Sequence, residues 1–302
     1  MNGILLIDKP PGLTSAEVVR QVKRRVRVKV GHLGTLDPFA TGLLPLCLGE
    51  ATKIAQFLNT ADKAYEGVIQ LGWTTDTGDG TGVRAHVADV PLFDAATLAA
   101  LAERFTGEQW QTPPMYSALK RDGVPLYRLA RRGVEVERER RRVVIGQLSL
   151  AADAPDRLRF RLACSKGTYV RVLAEDIGAA LDSAAHLTSL RRTVFGSFVL
   201  ASAVPLNSWD PDHATGLVSI RDALAHLPVV PLAAPAADAA RHGKSWVLAQ
   251  LPPASEHEAL LLDPTGEVAA VVVRTGSAWA YGRVLASPLT FTSPSACVSS
   301  KR

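Results

Sequence analysis

Residues 31–45 read Gly-His-Leu-Gly-Thr-Leu-Asp-Pro-Phe-Ala-Thr-Gly-Leu-Leu-Pro, which is the densest unusual stretch of the chain. It is a glycine-punctuated loop that holds one carboxylate, Asp37, among small and apolar residues. Glycines let a backbone approach a ligand closely, and Pro38 disfavours helical geometry at Asp37. The pattern predicts a fixed non-helical turn in which Asp37 either takes part in chemistry or caps a following helix.

The segment before this loop predicts a basic amphipathic helix. Thr14 and Glu17 have the spacing of a capping box at its start. Residues 20–30 contain six Lys and Arg residues and no acid, which is more positive charge than solvation of a surface helix requires. We expect Arg24 and Arg27 to contact phosphate, and an ordinary solvated helix face is the alternative.

Strands and helices are mixed along the chain without regular alternation. Apolar runs, two-residue alternation and helical spacing predict strands over 3–8, 65–72, 142–150 and 157–162, and helices over 95–105 and from Thr168 onward. This order favours an α+β fold, in which flanking helices cover a mixed or largely antiparallel sheet.

The pattern changes after a Pro- and Ala-rich stretch at 228–237. Short strands are predicted at about 243–251, 258–263, 267–273 and 278–285. The sequence therefore predicts a first domain over residues 1–228 and a small all-β domain over residues 229–287. The Ser-, Thr- and Pro-rich end, residues 288–302, has no periodicity and is expected to be disordered.

The charge balance of the chain is basic. Lys and Arg total 34 against 29 Asp and Glu, which gives a net charge of +5 and a pI near 9.2. A surplus of this sign fits a polyanionic partner. The apolar run at residues 3–7 is too short for a signal peptide or a membrane span. We expect no association with membranes and, by default, a monomer.

The cysteine pattern and the motifs predict no metal or organic cofactor. The three cysteines are far apart and form no Cys-x-x-Cys pair, which fits a reducing cytoplasm. Residues 76–82 superficially resemble a calcium-binding loop, but Gly78 removes a ligand and no Glu closes the loop, so a turn is expected. Nucleotide-binding fingerprints are also absent from the sequence.

Five ordered segments, spread over about residues 1–228, closely resemble the TruB family of tRNA pseudouridine-55 synthases. They are Leu6-Ile7-Asp8-Lys9-Pro10, Gly31-His32-Leu33-Gly34-Thr35-Leu36-Asp37-Pro38, Asp62-Lys63-Ala64-Tyr65-Glu66, Met115-Tyr116-Ser117-Ala118-Leu119-Lys120 and Cys164-Ser165-Lys166-Gly167-Thr168-Tyr169-Val170-Arg171. Five motifs in one order are far more specific than any one of them.

The resemblance implies a pseudouridine-synthase core with a mixed sheet, followed by a PUA-like RNA-binding barrel over residues 229–287. It also implies that Asp37 is the essential aspartate, that Arg171 pairs with it and that Tyr65 stacks on the target base. The remaining implied roles are lining the site or extruding the base, for His32, Tyr169 and Leu190, and supporting the loop, for Lys9 and Pro10. Beside an arginine, a buried carboxylate is expected to keep a low pKa.

Residues 115–142 resemble the insertion that closes over the RNA stem-loop in this family. Residues 120–142 contain nine Lys and Arg residues and four acids. We expect Arg131 and Arg132 to contact phosphate and to position the RNA without reading its sequence. A solvated charged helix is again the alternative.

The activity implied by the resemblance is isomerisation of the T-loop uridine, at conventional tRNA position 55, through base flipping. No cofactor is expected, because the isomerisation involves no net oxidation and no group is gained or lost. Asp37 could attack C1′, add to C6 of the ring or remove a sugar proton. A non-catalytic RNA-binding protein and a small-molecule hydrolase are the rival functions; the Asp37, Tyr65 and Arg171 set argues against the first, and the basic segments argue against the second.

Overall fold

A computed structural model of the chain describes residues 1–59, 61–213, 215–253 and 256–286. The chain forms two compact units, of which the first spans Gly3–Ser219 and the second begins at Ile220. The sequence pattern puts the change of composition later, at residue 228. The tail predicted to be disordered, residues 288–302, lies outside the described residues.

The first unit carries most of the strands and helices. Its strands are β1 (Gly3–Lys9), β2 (Val30–His32), β3 (Thr41–Leu48), β4 (Lys63–Leu71), β5 (Trp73–Thr75), β6 (Arg84–Val87), β7 (Gly107–Gln111), β8 (Lys120–Arg121), β9 (Val124–Pro125), β10 (Arg141–Ala154), β11 (Arg157–Cys164), β12 (Ala185–Phe195), β13 (Phe198–Val199), β14 (Val204–Pro205) and β15 (Leu217–Val218). Its helices are α1 (Ser15–Arg25), α2 (Ala55–Leu58), α3 (Ala95–Phe105), α4 (Leu126–Ala130) and α5 (Val170–Ala180), with short 3-10 turns at Gly49–Lys53 and Leu200–Ser202.

The centre of the first unit is one mixed sheet in the order β14-β1-β3-β12-β4-β11-β10-β7. Strands β1 and β3 pair antiparallel, β3 and β12 pair parallel, and β12, β4 and β11 pair antiparallel. The predicted α+β fold with a mixed sheet is therefore confirmed. Because β3 and β12 are neighbours, the loop that precedes β3 lies beside the middle of the sheet.

Alternation along β11 shows which face of the sheet is covered. Leu158, Phe160 and Leu162 are buried, whereas the arginines between them are exposed, as the strict two-residue alternation predicts. The buried side chains join a core that also contains residues of α1, α3 and α5. Each fully buried Leu or Phe contributes on the order of 1.5–3 kcal/mol to stability. The helices thus cover one face of the sheet.

Helix α1 begins as the sequence predicts. The Thr14 hydroxyl accepts the backbone N–H of Glu17 at 3.1 Å, and the Glu17 carboxylate accepts the backbone N–H of Thr14 at 2.8 Å. This capping box satisfies two backbone donors at the helix start. Val18 and Val22 are buried against the core, so the basic side chains of the last turn point outward.

The second unit is a small strand domain with three short helices. Its elements are α6 (Ile220–Ala223), β16 (Val229–Pro231), α7 (Ala234–Arg241), α8 (Ser245–Ala249), β17 (Glu258–Leu262), β18 (Val268–Thr275) and β19 (Ala278–Val284). The four strands form one sheet in chain order.

Three of the predicted C-terminal strands are confirmed, but the strand predicted at about 243–251 is wrong. Residues Ser245–Ala249 form a helical turn, and the first strand of the sheet is Val229–Pro231. A five-residue apolar run has no period long enough to distinguish a strand from a helix. Tertiary packing selects the helical turn over the strand, and Val247 is the residue of this turn that is buried.

Gly67 in β4 tests the packing at the centre of the sheet. A Cβ at this position would overlap the Ser189 carbonyl oxygen and lie 2.8 Å from the Phe160 ring. We expect Gly67→Ala to lower the free energy of unfolding by about 1–3 kcal/mol or more. Urea denaturation measures this change.

Gly146→Ala in β10 is the matched control. A Cβ there would lie 3.6 Å from the Ala163 carbonyl oxygen, which is ordinary contact. Its effect should stay within about 1 kcal/mol of the wild type. Equal stability of the two variants would contradict the close packing around Gly67.

Candidate active site

Asp37 lies in the loop that joins β2 to β3. The element after this loop is strand β3, so the interpretation of Asp37 as a helix cap is wrong. The Asp37 carbonyl accepts the N–H of Ala40 at 3.1 Å, which closes a tight turn at Pro38. About one third of the Asp37 side chain, 33 %, is exposed, so the carboxylate can be reached from outside.

Lys9, the last residue of β1, holds this turn through hydrogen bonds to backbone carbonyls. Its side chain is fully buried, and its ammonium donates to the carbonyls of Leu13 at 2.7 Å, Pro10 at 2.9 Å and Pro38 at 3.1 Å. Burial lowers the pKa of Lys9 to about 8, while the nearby negative charge of Asp37 opposes that fall. Lys9 therefore connects the strand end at Pro10 to the residue that follows Asp37.

The start of helix α1 holds the same loop from a second side. The Ser15 hydroxyl accepts the N–H of Leu36 at 2.9 Å and lies 3.1 Å from the Leu36 carbonyl, to which it donates. The N–H of Gly12 donates to the Pro38 carbonyl at 2.8 Å. Sequence reasoning missed Ser15, although its place beside a helix N-cap marks a hydroxyl close to free backbone groups.

Arg171, in the first turn of α5, contacts the Asp37 carboxylate directly. Its Nε lies 2.9 Å from Oδ2, and only 5 % of its side chain is exposed. Its two remaining nitrogens donate to the carbonyls of Thr77 at 2.6 Å and Tyr116 at 2.7 Å. One guanidinium thus joins the loop that carries Asp37, the loop at 76–82 and the insertion.

The pKa of Asp37 moves in the direction opposite to the one expected from the sequence. Burial raises the pKa of this carboxyl above its ordinary value, and the Arg171 guanidinium only partly opposes the rise. The negative charge of Asp79 raises it further, whereas Lys9 lowers it. The expectation of a low pKa was wrong because it counted the arginine and left out the cost of desolvation.

Residues 76–82 form part of the site, which sequence reasoning treated as a plain turn. The Asp79 carboxylate is buried and accepts the Thr77 hydroxyl at 3.1 Å and the Thr81 N–H at 2.9 Å. These bonds shape the loop whose Thr77 carbonyl receives Arg171. The only signal in the sequence is the dense run of Asp, Thr and Gly, which is typical of a self-bonded turn.

Tyr65 and Leu190 come from neighbouring strands, β4 and β12, at the centre of the sheet. Tyr65 is 9 % exposed and lies opposite Arg192 in the register, while Leu190 is 7 % exposed and lies opposite Gly67. Burial raises the pKa of Tyr65, and the charge of Asp37 adds to the rise, so the two groups are within electrostatic reach of each other. Both side chains are packed in the hydrophobic core of the first unit.

Tyr169 and His32 lie at the ends of elements that flank Asp37. The Tyr169 N–H donates to the Gln111 side chain at 2.9 Å just before α5 begins. Burial raises the pKa of the Tyr169 phenol, and the charge of Asp37 adds to the rise. His32 ends β2, and its Nδ1 is buried without a hydrogen-bond partner in the described part of the chain. Burial lowers the pKa of His32. The His32 ring therefore keeps a nitrogen that can still accept or donate.

The arginines expected to contact phosphate are all exposed. Arg24 lies in the last turn of α1, and Arg27 lies just after that helix. Arg131 and Arg132 come directly after α4 in the insertion. Within residues 1–59, 61–213, 215–253 and 256–286, no carboxylate lies within 4.0 Å of any of the four. By contrast, Arg25 donates to the carbonyls of two residues in the first unit, so it has a structural role.

The described residues contain neither a metal-ligand cluster nor a membrane-spanning helix. No group of three or more His, Cys, Asp and Glu side chains in these parts of the chain could hold a metal ion. In the same residues, no helix is both long and apolar enough to cross a membrane.

The fold is shared with chains of two solved complexes. A crystal structure of a Cbf5-Nop10-Gar1 complex matches 93 % of this chain and 84 % of the solved chain, with a TM-score of 0.67 and 25 % identity. A structure of an H/ACA RNP bound to a substrate RNA containing 2'-deoxyuridine matches 94 % and 85 %, with a TM-score of 0.69 and 23 % identity.

A family match defines the class of the protein, which is that of the pseudouridylate synthases. Residues 20–170 match the model described as TruB family pseudouridylate synthase (N terminal domain). The chain is 50 % identical over 256 residues to the tRNA pseudouridine synthase B of Burkholderia pseudomallei (strain 668), covering 83 % of this chain and 84 % of that one. It is 52 % identical over 237 residues to the Aromatoleum aromaticum protein of the same name, covering 77 % of each. The chain belongs to the TruB family, and the predicted membership is confirmed.

The pKa of Asp37 can be tested directly. We expect its carboxyl to titrate above the ordinary value of 3.8, because desolvation outweighs the ion pair. Arg171→Met should raise this pKa further, since it removes the opposing charge, and Arg171→Lys should raise it less. Carbon-detected NMR of protein labelled at aspartate Cγ measures each titration.

Arg142→Met, at an exposed arginine that pairs with Glu108, is the control and should leave the titration of Asp37 unchanged. A wild-type value at or below 3.8 would show that the ion pair outweighs desolvation. The raised pKa would then be wrong.

Proposed function

We propose that the protein isomerises the T-loop uridine of tRNA, at conventional position 55, to pseudouridine, with Asp37 as the catalytic carboxylate. The observation that carries the proposal is the pairing of Asp37, one third exposed, with the buried guanidinium of Arg171. Membership of the TruB family supports the reaction, and the names of the relatives in Burkholderia and Aromatoleum support tRNA as the substrate.

The reaction breaks one bond and forms another at the same sugar carbon. The bond from C1′ to N1 of the uracil breaks, the base turns, and a bond from C1′ to C5 forms. C5 then loses its hydrogen as a proton, and N1 gains one. Atoms and electrons balance without an oxidant, a reductant or a transferred group, so we propose that no cofactor takes part.

The ionised form of Asp37 is the reactive form. Attack on C1′, addition to C6 and removal of a sugar proton each need a free carboxylate lone pair. Arg171 favours that form and fixes its direction, because its Nε holds Oδ2 of the carboxylate at 2.9 Å. Lys9 and Pro10 hold the turn, so the carboxylate keeps its place as the base moves.

The base enters beside four side chains. We assign stacking to Tyr65, because an aromatic face replaces the stacking that a base loses when it leaves the RNA. Tyr169 and Leu190 line the base, and His32 helps to extrude it. The unpartnered Nδ1 of His32 has hydrogen-bonding capacity that a polar nucleotide group can fill.

RNA contacts outside the pocket are assigned to exposed arginines and to the second unit. Arg24 and Arg27 would contact phosphates from α1, and Arg131 and Arg132 from the insertion at 115–142, so that together they hold the T-arm stem-loop. We assign catalysis to residues 1–228 and PUA-like RNA binding to residues 229–287. One chain supplies every named site residue, so a monomer suffices, and a tRNA substrate favours action in the cytoplasm.

The release of tritium from C5 tests the reaction. With tRNA labelled at C5 of uridine, we expect label to enter water in step with pseudouridine formation, both with and without EDTA. Asp37→Asn should abolish release while tRNA binding persists, because the change removes the charge and barely alters the shape. Asp182→Asn is the matched control at an exposed turn residue with positive φ, where Asn is well tolerated.

Two results would refute this function. One is the absence of release from folded tRNA by the wild-type protein. The other is near wild-type release by Asp37→Asn, which would move the chemistry to another residue.

The salt dependence of binding tests the phosphate contacts. Neutralising Arg24 with Arg27, or Arg131 with Arg132, to Gln should weaken binding to all tRNAs alike. Each lost contact should reduce the slope of log K against log salt by roughly 0.7–0.9. Filter binding over a salt series measures the slope.

Arg157 and Arg159 provide the control, because both lie near Asp153, at 4.0 Å and 2.7 Å. Their double Gln variant should keep the wild-type slope. If the test pairs also keep it, they are ordinary solvated charges.

A further inference from the structure

Arg192 is a charged side chain with no solvent exposure at all. It lies on β12, directly opposite Tyr65 of β4 in the sheet register. Within the described residues, no carboxylate lies within 4.0 Å of its guanidinium. A buried charge without an opposite charge is costly, so it persists only where hydrogen bonds compensate for lost water.

The compensating bonds run to the two ends of the loop that carries Asp37. Arg192 Nε donates to the Leu43 carbonyl at 2.7 Å, and Nη2 donates to the Gly34 carbonyl at 2.9 Å. Eight residues, 35–42, separate these two acceptors in the sequence, and Asp37 is one of them. The Arg192 guanidinium therefore joins the two sides of the loop that carries Asp37.

Two glycines allow the loop to approach Arg192 this closely. Gly34 has φ +59°, and a Cβ there would lie 3.3 Å from Arg192 Nη1. Gly42 has φ +96°, and a Cβ there would overlap the Arg192 backbone carbonyl. The absence of a side chain at Gly34 thus leaves room for the Arg192 guanidinium, and its absence at Gly42 leaves room for the Arg192 backbone.

The neighbour of Arg192 on the next strand is Tyr65, its partner in the sheet register. The Arg192 guanidinium carbon also lies 5.3 Å from the centroid of the Phe195 ring, on the same strand as Arg192. Burial raises the pKa of Tyr65, and the nearby positive charge of Arg192 opposes that rise. The same charge adds to the effect of burial in lowering the pKa of His32 and of Lys9. Arg192 therefore acts on Tyr65, His32 and Lys9 from within the sheet.

We propose that Arg192 is a positioning residue that fixes the catalytic loop and the Tyr65 ring relative to each other. The inference rests on the proposed function, in which the uracil is detached, turned and reattached. During that turn, Asp37 and the stacking ring must keep one mutual geometry while the base itself moves. Arg192 meets this requirement because it donates to the Gly34 and Leu43 carbonyls of the loop and lies opposite Tyr65 in the sheet register.

Three variants separate positioning from mere stability. Arg192→Met keeps the length and removes both the charge and the donors, and Arg192→Lys keeps the charge but loses the fork that reaches two carbonyls. Arg191→Met is the matched control, because Arg191 is the adjacent residue, points to the opposite face of the sheet and pairs with Asp8 at 2.7 Å.

We expect Arg192→Met to lower kcat at least about 100-fold, the cost of displacing catalytic groups by about 1 Å. KM for tRNA should stay near the wild-type value, because the phosphate contacts lie elsewhere. Arg192→Lys should recover part of the lost kcat, and Arg191→Met should match the wild type. Single-turnover rates are measured well below each melting temperature, so that lost stability alone cannot lower kcat.

A readout independent of catalysis is the pKa of His32, followed by NMR of its imidazole. Arg192→Met should raise this pKa because a nearby positive charge is lost, while Arg192→Lys and Arg191→Met should leave it close to the wild-type value. If Arg192→Met does not fold, Arg192→Lys carries the test through its lowered kcat and unchanged KM.

A wild-type kcat in a folded Arg192→Met or Arg192→Lys variant would overturn the inference, as would an effect on KM alone. Lack of activity in the wild-type protein would instead refute the proposed function. In that case the titration of His32 still shows whether Arg192 acts on the site.

Discussion

The contact between the Arg171 guanidinium and the Asp37 carboxylate is the constraint on which the rest of the site depends. Arg171 uses Nε for the carboxylate and its other nitrogens for the carbonyls of Thr77 and Tyr116. A planar fork of this kind fixes three acceptors in one plane, which a lysine ammonium does not do. One side chain at the start of α5 therefore holds the loop that carries Asp37, the loop at 76–82 and the insertion.

Backbone carbonyls, more than carboxylates, stabilise the positive charge around this contact. Lys9 donates to three carbonyls and Arg192 to two, and both side chains are fully buried. Carbonyl dipoles compensate for lost water without neutralising the cations. The charge of Lys9 therefore remains available to Asp37, whose own pKa burial raises. Desolvation acts on this carboxylate in one direction, and the two cations Arg171 and Lys9 act in the other.

The sequence predicts local features better than it predicts long-range ones. The capping box at Thr14 and the alternation along β11 depend on neighbouring residues, and both are confirmed. The role of Arg192 depends on strand register, and the direction of the pKa of Asp37 depends on how much protein surrounds it. Neither the role of Arg192 nor the direction of the pKa shift of Asp37 follows from the spacing of residues along the chain. Family resemblance singled out Asp37 and Arg171, but it gave no reason to examine the loop around Asp79.

In the proposed function, substrate entry has to act on contacts that already exist. Tyr65 and Leu190 are almost fully buried, so a flipped base would need room that the structure does not offer. The insertion is bonded to Arg171, whose Nη2 donates to the Tyr116 carbonyl at 2.7 Å. RNA that displaced the insertion would therefore either move Arg171 or break that bond. Movement of Arg171 would also change its contact with Asp37, and this would couple recognition of the stem-loop to the orientation of the carboxylate.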